Sequence, residues 1–437
     1  MPRDAQGHDV TGTPSSVESL DRAIADYYAL GGDPVGKLKA ALSTDPSFAL
    51  GATAIAALFL VGGFRADHAE VKSALKAARA AVGHATPRER LHLEAVETWA
   101  EGRLRDAAAV YEEILVDSPT DALALRLAQD AYFLMGQSAA MRDSVARVLP
   151  EWRDDDPLTS FVLGARAFGL EETGDYLGAE AAAREALARN PADAWAAHAL
   201  AHVFEMTGRP EEGVDFLQAS RDDWAGAHFM AGHNGWHLGL YLIELGRIDE
   251  VLAGFDRQML PVLANDAALD RIDAASLLWR LELEGVDVGA RWAPVRKAWA
   301  AHVHDHVLAF NDLHLALALG REPKLAAMLG DSLDAYALEG EGDNAVVMRQ
   351  IGRPLIDAML SFAKGDYAEA VEGIQPLRYD VWRIGGSHAQ REIVDLTLLA
   401  AAERAGESRL ARALTAERAA LRPTARWKAR RDRVRAM

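Results

Sequence analysis

The sequence predicts an all-α protein assembled from successive helical hairpins. Three observations lead to this class. Glycines that could open a second helix recur at 63, 102, 136, 174, 208, 246, 285, 320, 365 and 406, in steps between 34 and 45 residues. The stretches between them, such as 174–190, are rich in Ala, Leu, Glu and Arg, which lose little on entering a helix. No segment sustains the two-residue alternation of a half-buried strand, so no sheet is expected.

The unit is clearest from Gly102, followed by Ala107, Tyr111, Ile114 and Pro119. The same offsets return from Gly174 with Ala179, Ala183, Ala186 and Pro191, less fully from Gly208, Gly246 and Gly365, and again from Gly406 through Ala411 to Pro423. Each mark has a physical role. The Gly allows the left-handed backbone that ends the first helix. The small residue five positions on lets two helices approach, and the Pro stops the second helix. A period near 34 is that of tetratricopeptide arrays. One hairpin cannot bury its apolar face alone, so neighbours must stack. The expected architecture is therefore a tetratricopeptide-like α-solenoid, a right-handed superhelix of about ten helical pairs spanning 17–423. A disordered arm, 1–16, is expected before it and a basic tail, 424–437, after it.

Composition narrows the function. The chain has 437 residues, half of them hydrophobic, with 65 acidic against 47 basic side chains and a net charge of -18. That acidity argues against a nucleic-acid partner, which needs a basic footprint. The absence of Cys excludes disulfides, thiolate metal sites and cysteine nucleophiles. The polar opening lacks a hydrophobic leader, and the longest apolar run, 52–61, is about half of a bilayer span. No membrane partner is expected, and the protein is expected to be cytoplasmic. The motifs G-x-S-x-G, G-x-G-x-x-G and G-x-x-x-x-G-K-[ST] do not occur, so no nucleotide cofactor is indicated.

Of 14 histidines, nine fall between 198 and 314. With each Gly set as position 15 of its unit, positions 2, 5, 9 and 12 of the first helix face the concave side. His198, His202 and Glu205 then fall at 5, 9 and 12, and His233, Trp236 and His237 at 2, 5 and 6 of the next unit. Asp312 and His314 fall at 7 and 9, and upstream Arg126 and Asp130 at 5 and 9. His198/His202 and His233/His237 are i, i+4 pairs, stacked on one helical face. His titrates near neutrality and suits acid–base work. His302, His304 and His306 alternate, so a helix cannot direct all three to one place. Two His and a carboxylate could also form a metal triad. The set His198, His202 and Glu205 is one stripe on one helix, however, and no metal or other cofactor is expected.

Several blocks resemble the tetratricopeptide repeat protein 38 family: DAWAAHALAHVFEM (193–206), HNGWHLGLYLIELGR (233–247), LLWRLELEGVDVGARW (277–292), DHVLAFNDLHLALA (305–318) and GGSHAQRE (385–392). QDAYFLMGQSAAMRDSV (129–145) and FGLEETGDYLGAEAAAREAL (168–187) are similar to it as well. The likeness runs from about 20 to 430, with the blocks in family order. Two positions depart from it: Glu392 stands where Asp is common, and His388 where Asn is frequent. The resemblance implies a tetratricopeptide-like superhelix and no particular reaction. It also places Asp130, His198, His202, Glu205, His233, His237, Asp312, His314, Gln390 and Arg391 inside family blocks.

Two functions compete. The first is a pocket for a small polar ligand, with enzymatic hydrolysis, elimination or proton transfer. His202, His233 and His237 would be acid or base with Asp130, Glu205 and Asp312 as carboxylates. Arg126, His198, Trp236, His314, Gln390 and Arg391 would bind substrate, Arg391 by gripping an anionic group. The second is a scaffold that holds a peptide in the concave groove, as tetratricopeptide arrays do. A Lys/Asn/Arg carboxylate clamp would mark it, and His, Asp and Glu stand there instead. A homo-oligomer built through exposed second-helix faces is a third, weaker reading.

Overall fold

The structure, a computed structural model, describes residues 1–436. Among these, 77% are helical and no strand forms. The only β pairing among the described residues is an isolated bridge between Arg3 and Asp9. Helices pack against their chain neighbours as hairpins: Pro87–Ala100 on Leu104–Asp117, Ala122–Leu134 on Ser138–Val148, Thr159–Glu172 on Tyr176–Arg189. No helix of the described residues is long and apolar enough to cross a membrane.

The glycine marks act as expected at every position but one. At Gly102, φ is +79°. Its N–H reaches the Trp99 carbonyl at 2.8 Å, and the Arg103 N–H reaches that of Thr98 at 3.1 Å, which satisfies the last helical carbonyls. Gly320 is the exception, with φ -61°. It is small for packing instead: a Cβ there would lie 2.1 Å from Leu360 Cδ2. The small residues five positions on are tightly enclosed, Ala107, Ala179 and Ala370 each being fully buried.

The chain divides into two compact units. The first comprises Met1–Ala196 with Gly226–His228 and Glu341–Asp343; the second comprises Ala197–Ala225, Phe229–Gly340 and Asn344–Met437. Phe48, Tyr111 and Phe168 lie in the core of the first unit, and Trp236, Trp279, Trp299 and Tyr241 in that of the second.

The start of the chain differs from expectation. The opening residues are ordered rather than a loose arm. Val10 is fully buried, and buried carboxylates recruit the backbone: Glu89 accepts from Thr11 N–H at 2.9 Å and Asp45 from Thr13 N–H at 2.8 Å. Thr13 then caps the helix Pro14–Tyr28. At the other end, the basic tail folds as the helix Ala425–Ala436. Its Trp427 is buried, Arg426 pairs with Glu284, and Arg430 pairs with Glu403 at 2.6 Å. The tail's positive charge is thus spent on the acidic body.

Candidate functional site

The helix Ala194–Met206 starts at Asp193, whose Oδ1 accepts from the N–H groups of Trp195 (3.0 Å) and Ala196 (2.9 Å). Ala194, Ala196, Ala197, Ala199 and Ala201 are buried all round it, so the helix is enclosed rather than amphipathic. The next first helix of a hairpin, His228–Glu244, lies against it. The Tyr241 hydroxyl donates to the Ala201 carbonyl oxygen, and Gly213 leaves room for the Tyr241 ring.

This fit brings the two i, i+4 histidine pairs face to face. His198, His202, His233 and His237 are 0–3% exposed. One ring nitrogen of each lies within 4.8 Å of one from every other. His198 Nε2 is 2.9 Å from His202 Nε2 and 3.2 Å from His233 Nε2. Trp236 stacks flat on His233, with ring centres 5.2 Å apart.

Carboxylates hold the outer nitrogens. Asp273, on the helix Ala268–Leu283, lies 2.8 Å from His233 Nδ1. Glu205 Oε2 lies 3.1 Å from His237 Nδ1, and its Oε1 accepts from Arg422. An ionised carboxylate only accepts, so Nδ1 of His233 and of His237 carries the hydrogen and Nε2 presents a lone pair to the centre. His237 Nε2 makes no hydrogen bond among the described residues.

Burial sets the charges. It pushes the His198 imidazole far below its ordinary range, with further help from the neighbouring rings of His202, His233 and His237. Burial likewise takes His237 down to about 3. In Glu205, burial works upward but loses to Arg422 and His237, which hold the carboxyl well below the usual range. Asp273 is raised, because burial outweighs His233 and Arg280. His198 and His237 are therefore held neutral beside an ionised Glu205.

The other expected site residues lie elsewhere. Asp312 serves His306, whose Nδ1 is 3.1 Å from its Oδ1, and not the four rings. His314 donates from Nδ1 to the Phe310 carbonyl at 2.9 Å. His302 bridges Asp305 and Asp266, and His304 reaches Ser332. Gln390 is a helix cap, its Oε1 accepting from Ser387 N–H at 3.0 Å, and the Arg391 guanidinium donates to the carbonyl of Gly386. Trp236 is enclosed and lines no groove. Arg126 and Asp130 belong to the first unit, where they pair at 3.1 Å and Asp130 accepts from Tyr27. His388 approaches the site, its ring centre 5.7 Å from that of His202.

Asp273 and Arg422 were not singled out in the sequence. Asp273 carried a faint signal, a carboxylate within an otherwise apolar helix, but it sits at position 3 of its unit, off the concave set. Arg422 was one of several arginines near the basic end of the chain, and nothing local marked it. No protein-family model matches the chain.

Proposed function

We propose that this chain is a metal-binding protein of the tetratricopeptide-like superhelical kind, similar to the tetratricopeptide repeat protein 38 family, with its centre at His198, His202, His233 and His237. The observation that carries this reading is the convergence of four buried imidazoles with two lone-pair tautomers fixed from outside. Without a cation, the lone pair on His237 Nε2 has no donor among the described residues, and the one on His233 Nε2 has only His198 Nε2, 3.2 Å away. A cation gives each an acceptor of electrons. Zinc bound tetrahedrally at about 2.0–2.1 Å would put its nitrogen ligands about 3.3 Å apart. The observed separations of 2.9 and 3.2 Å need only small adjustments. Imidazole donors suit Zn, Cu, Fe or Ni rather than Mg or Ca. Asp273 and Glu205 supply the carboxylate–histidine support usual for such ligands.

This reading replaces metal-free acid–base chemistry. The expectation of no metal rested on a single helical stripe of His198, His202 and Glu205. Two helices share the ligands instead, and Glu205 stands behind His237. Rings enclosed to this degree have no substrate-facing nitrogen to trade protons with. The closed, four-nitrogen set resembles a site in which the ion locks two adjacent hairpins together.

Elemental analysis of the full chain, purified without chelator and without an affinity tag that binds metal, tests it. About one equivalent of a first-row transition metal is expected in the wild type, and almost none in the double variant His202→Gln/His237→Gln. Equal metal content in both proteins, or no uptake of zinc, copper, iron or nickel by the wild type, would overturn the proposal.

A further inference from the structure

A cavity lies in the same unit, outside the four histidines and independent of any metal there. Arg280, on the helix Ala268–Leu283, is 4% exposed. Its Nη1 donates to Ser276 Oγ and its Nη2 to the Ala389 carbonyl at 2.7 Å. Its Nε–H has no acceptor. It forms no ion pair among the described residues, and its guanidinium lies over the Trp236 ring at 5.2 Å. A buried cation without a carboxylate against it is costly. Burial accordingly draws Arg280 down to about 10, against the pull of Glu392 and Glu205 and with Arg422 and Arg418 lowering it further.

Arg280 lines a cavity of about 50 Å³ together with Arg418, Arg426, Glu392 and Trp427. That is room for several waters, and so for a four-oxygen anion. Arg418 also has a buried Nε–H without an acceptor. The carboxylates along the wall are already engaged. Glu392 accepts from Arg418 and, at 2.7 Å, from Arg422. Glu284 takes Arg426, and Glu244 takes the Thr424 hydroxyl and, at 3.2 Å, the Trp427 indole N–H. The wall carries more guanidinium groups, Arg280, Arg418, Arg426 and Arg430, than carboxylates, Glu244, Glu284 and Glu392. Orphaned buried donors call for a partner, and guanidinium N–H groups match oxyanions.

We propose that this cavity binds a small oxyanion of phosphate size between the guanidinium groups of Arg280 and Arg418. The binding site would sit beneath the helix Ala425–Ala436, which closes it with Trp427 and Arg426. Two guanidinium groups in a half-open cavity favour an anion with several oxygens over chloride.

Isothermal titration of the full chain with inorganic phosphate, at ionic strength held constant with sodium chloride, tests the proposal. A saturable site of about one equivalent is expected, with at least tenfold weaker binding in Arg280→Met, whose side chain fills similar space without donors. The circular dichroism spectrum of R280M must match the wild type for that comparison to count. Should R280M not fold, Arg418→Met serves in its place, with the same loss expected. Absence of a saturable phosphate site in the wild type would overturn the proposal, as would R280M, or R418M where it stands in, binding phosphate as tightly as the wild type.

Discussion

Replacing Asp273 with Asn tests how the histidine centre is built. The carboxylate lies 2.8 Å from His233 Nδ1, and its side chain is 3% exposed. Its other oxygen, Oδ1, has no hydrogen-bond partner, so His233 is the one group that depends on it. Asn fills the same volume but accepts less strongly. If its amide turns, the NH₂ faces Nδ1 and drives the hydrogen to Nε2, which removes the lone pair from the centre. Loss of such a supporting carboxylate typically lowers metal affinity by about 10- to 100-fold. That corresponds to about 1.4–2.7 kcal/mol, at about 1.4 kcal/mol per decade. The assay is competition for zinc against a chromophoric chelator at pH 7.5, with Asp312→Asn as control. Asp312 makes the same type of contact to His306, away from the four rings, and its replacement should leave zinc affinity within about twofold. Equal affinities for wild type and D273N, or equal losses in D273N and D312N, would refute the assigned role of Asp273.

Other consequences are open to measurement. Burial raises the Asp193 carboxyl to about 7 against an ordinary 3.8, outweighing its two backbone hydrogen bonds. The folded chain therefore holds a proton that the unfolded chain releases, and stability falls as pH climbs from about 4 to 7, by about 4 kcal/mol in all. Asp193→Asn keeps the capping oxygen and should flatten this slope; urea titrations at pH 5 and 8 will show whether the variant gains on the wild type only at the higher pH. Trp427→Ala removes a side chain that is 2% exposed and should cost about 3–5 kcal/mol in denaturant unfolding. A loss below about 1 kcal/mol would mean that the final helix is not part of the folded unit. Gly246 and Gly320 should respond to Ala for different reasons. At Gly246 φ is +71° with open space around a Cβ, so the cost is backbone strain of about 1–2 kcal/mol. At Gly320 the backbone is ordinary, but a Cβ would meet Leu360 Cδ2 at 2.1 Å and the Ala316 carbonyl oxygen at 2.8 Å; the cost should be about 1–3 kcal/mol, and the second change Leu360→Ala should recover only the part due to Leu360.

The helical hairpins were legible because their punctuation is local. Gly102 ends a helix by its own backbone geometry, and Ala107 reports a close approach five residues later. Gly320 carries the same letter for another reason, which only the position of Leu360 reveals. The histidine pairs were legible for a related cause: i, i+4 spacing fixes a common face whatever the partner. Their convergence followed from phase alone. What phase could not supply was the second shell. Glu205 shares the stripe of His198 and His202 yet turns to His237 and Arg422, because an ionised carboxylate in a buried place follows the nearest donors. Asp273 and Arg280 come from a later helix, and their roles depend on a packing angle that no local pattern encodes. The opening residues misled because their polarity reads as disorder, whereas Glu89 and Asp45 capture their backbone donors from a distance.

The ion pair between Glu205 and Arg422 joins residues 217 apart in sequence. Gly208 and Pro423 also touch, a Cβ on Gly208 lying 3.2 Å from the Pro423 backbone. The second unit thus has its early and late segments fastened together, unlike an open array in which each repeat meets only its neighbours. An open array can fray from either end and melt in stages. A closed one must order most of its length before the clasp can form, and it pays the entropy of a long loop in a single step. Its folding should accordingly be slow and all-or-none, with amide protons of its hairpins exchanging at similar rates rather than in a gradient from the ends.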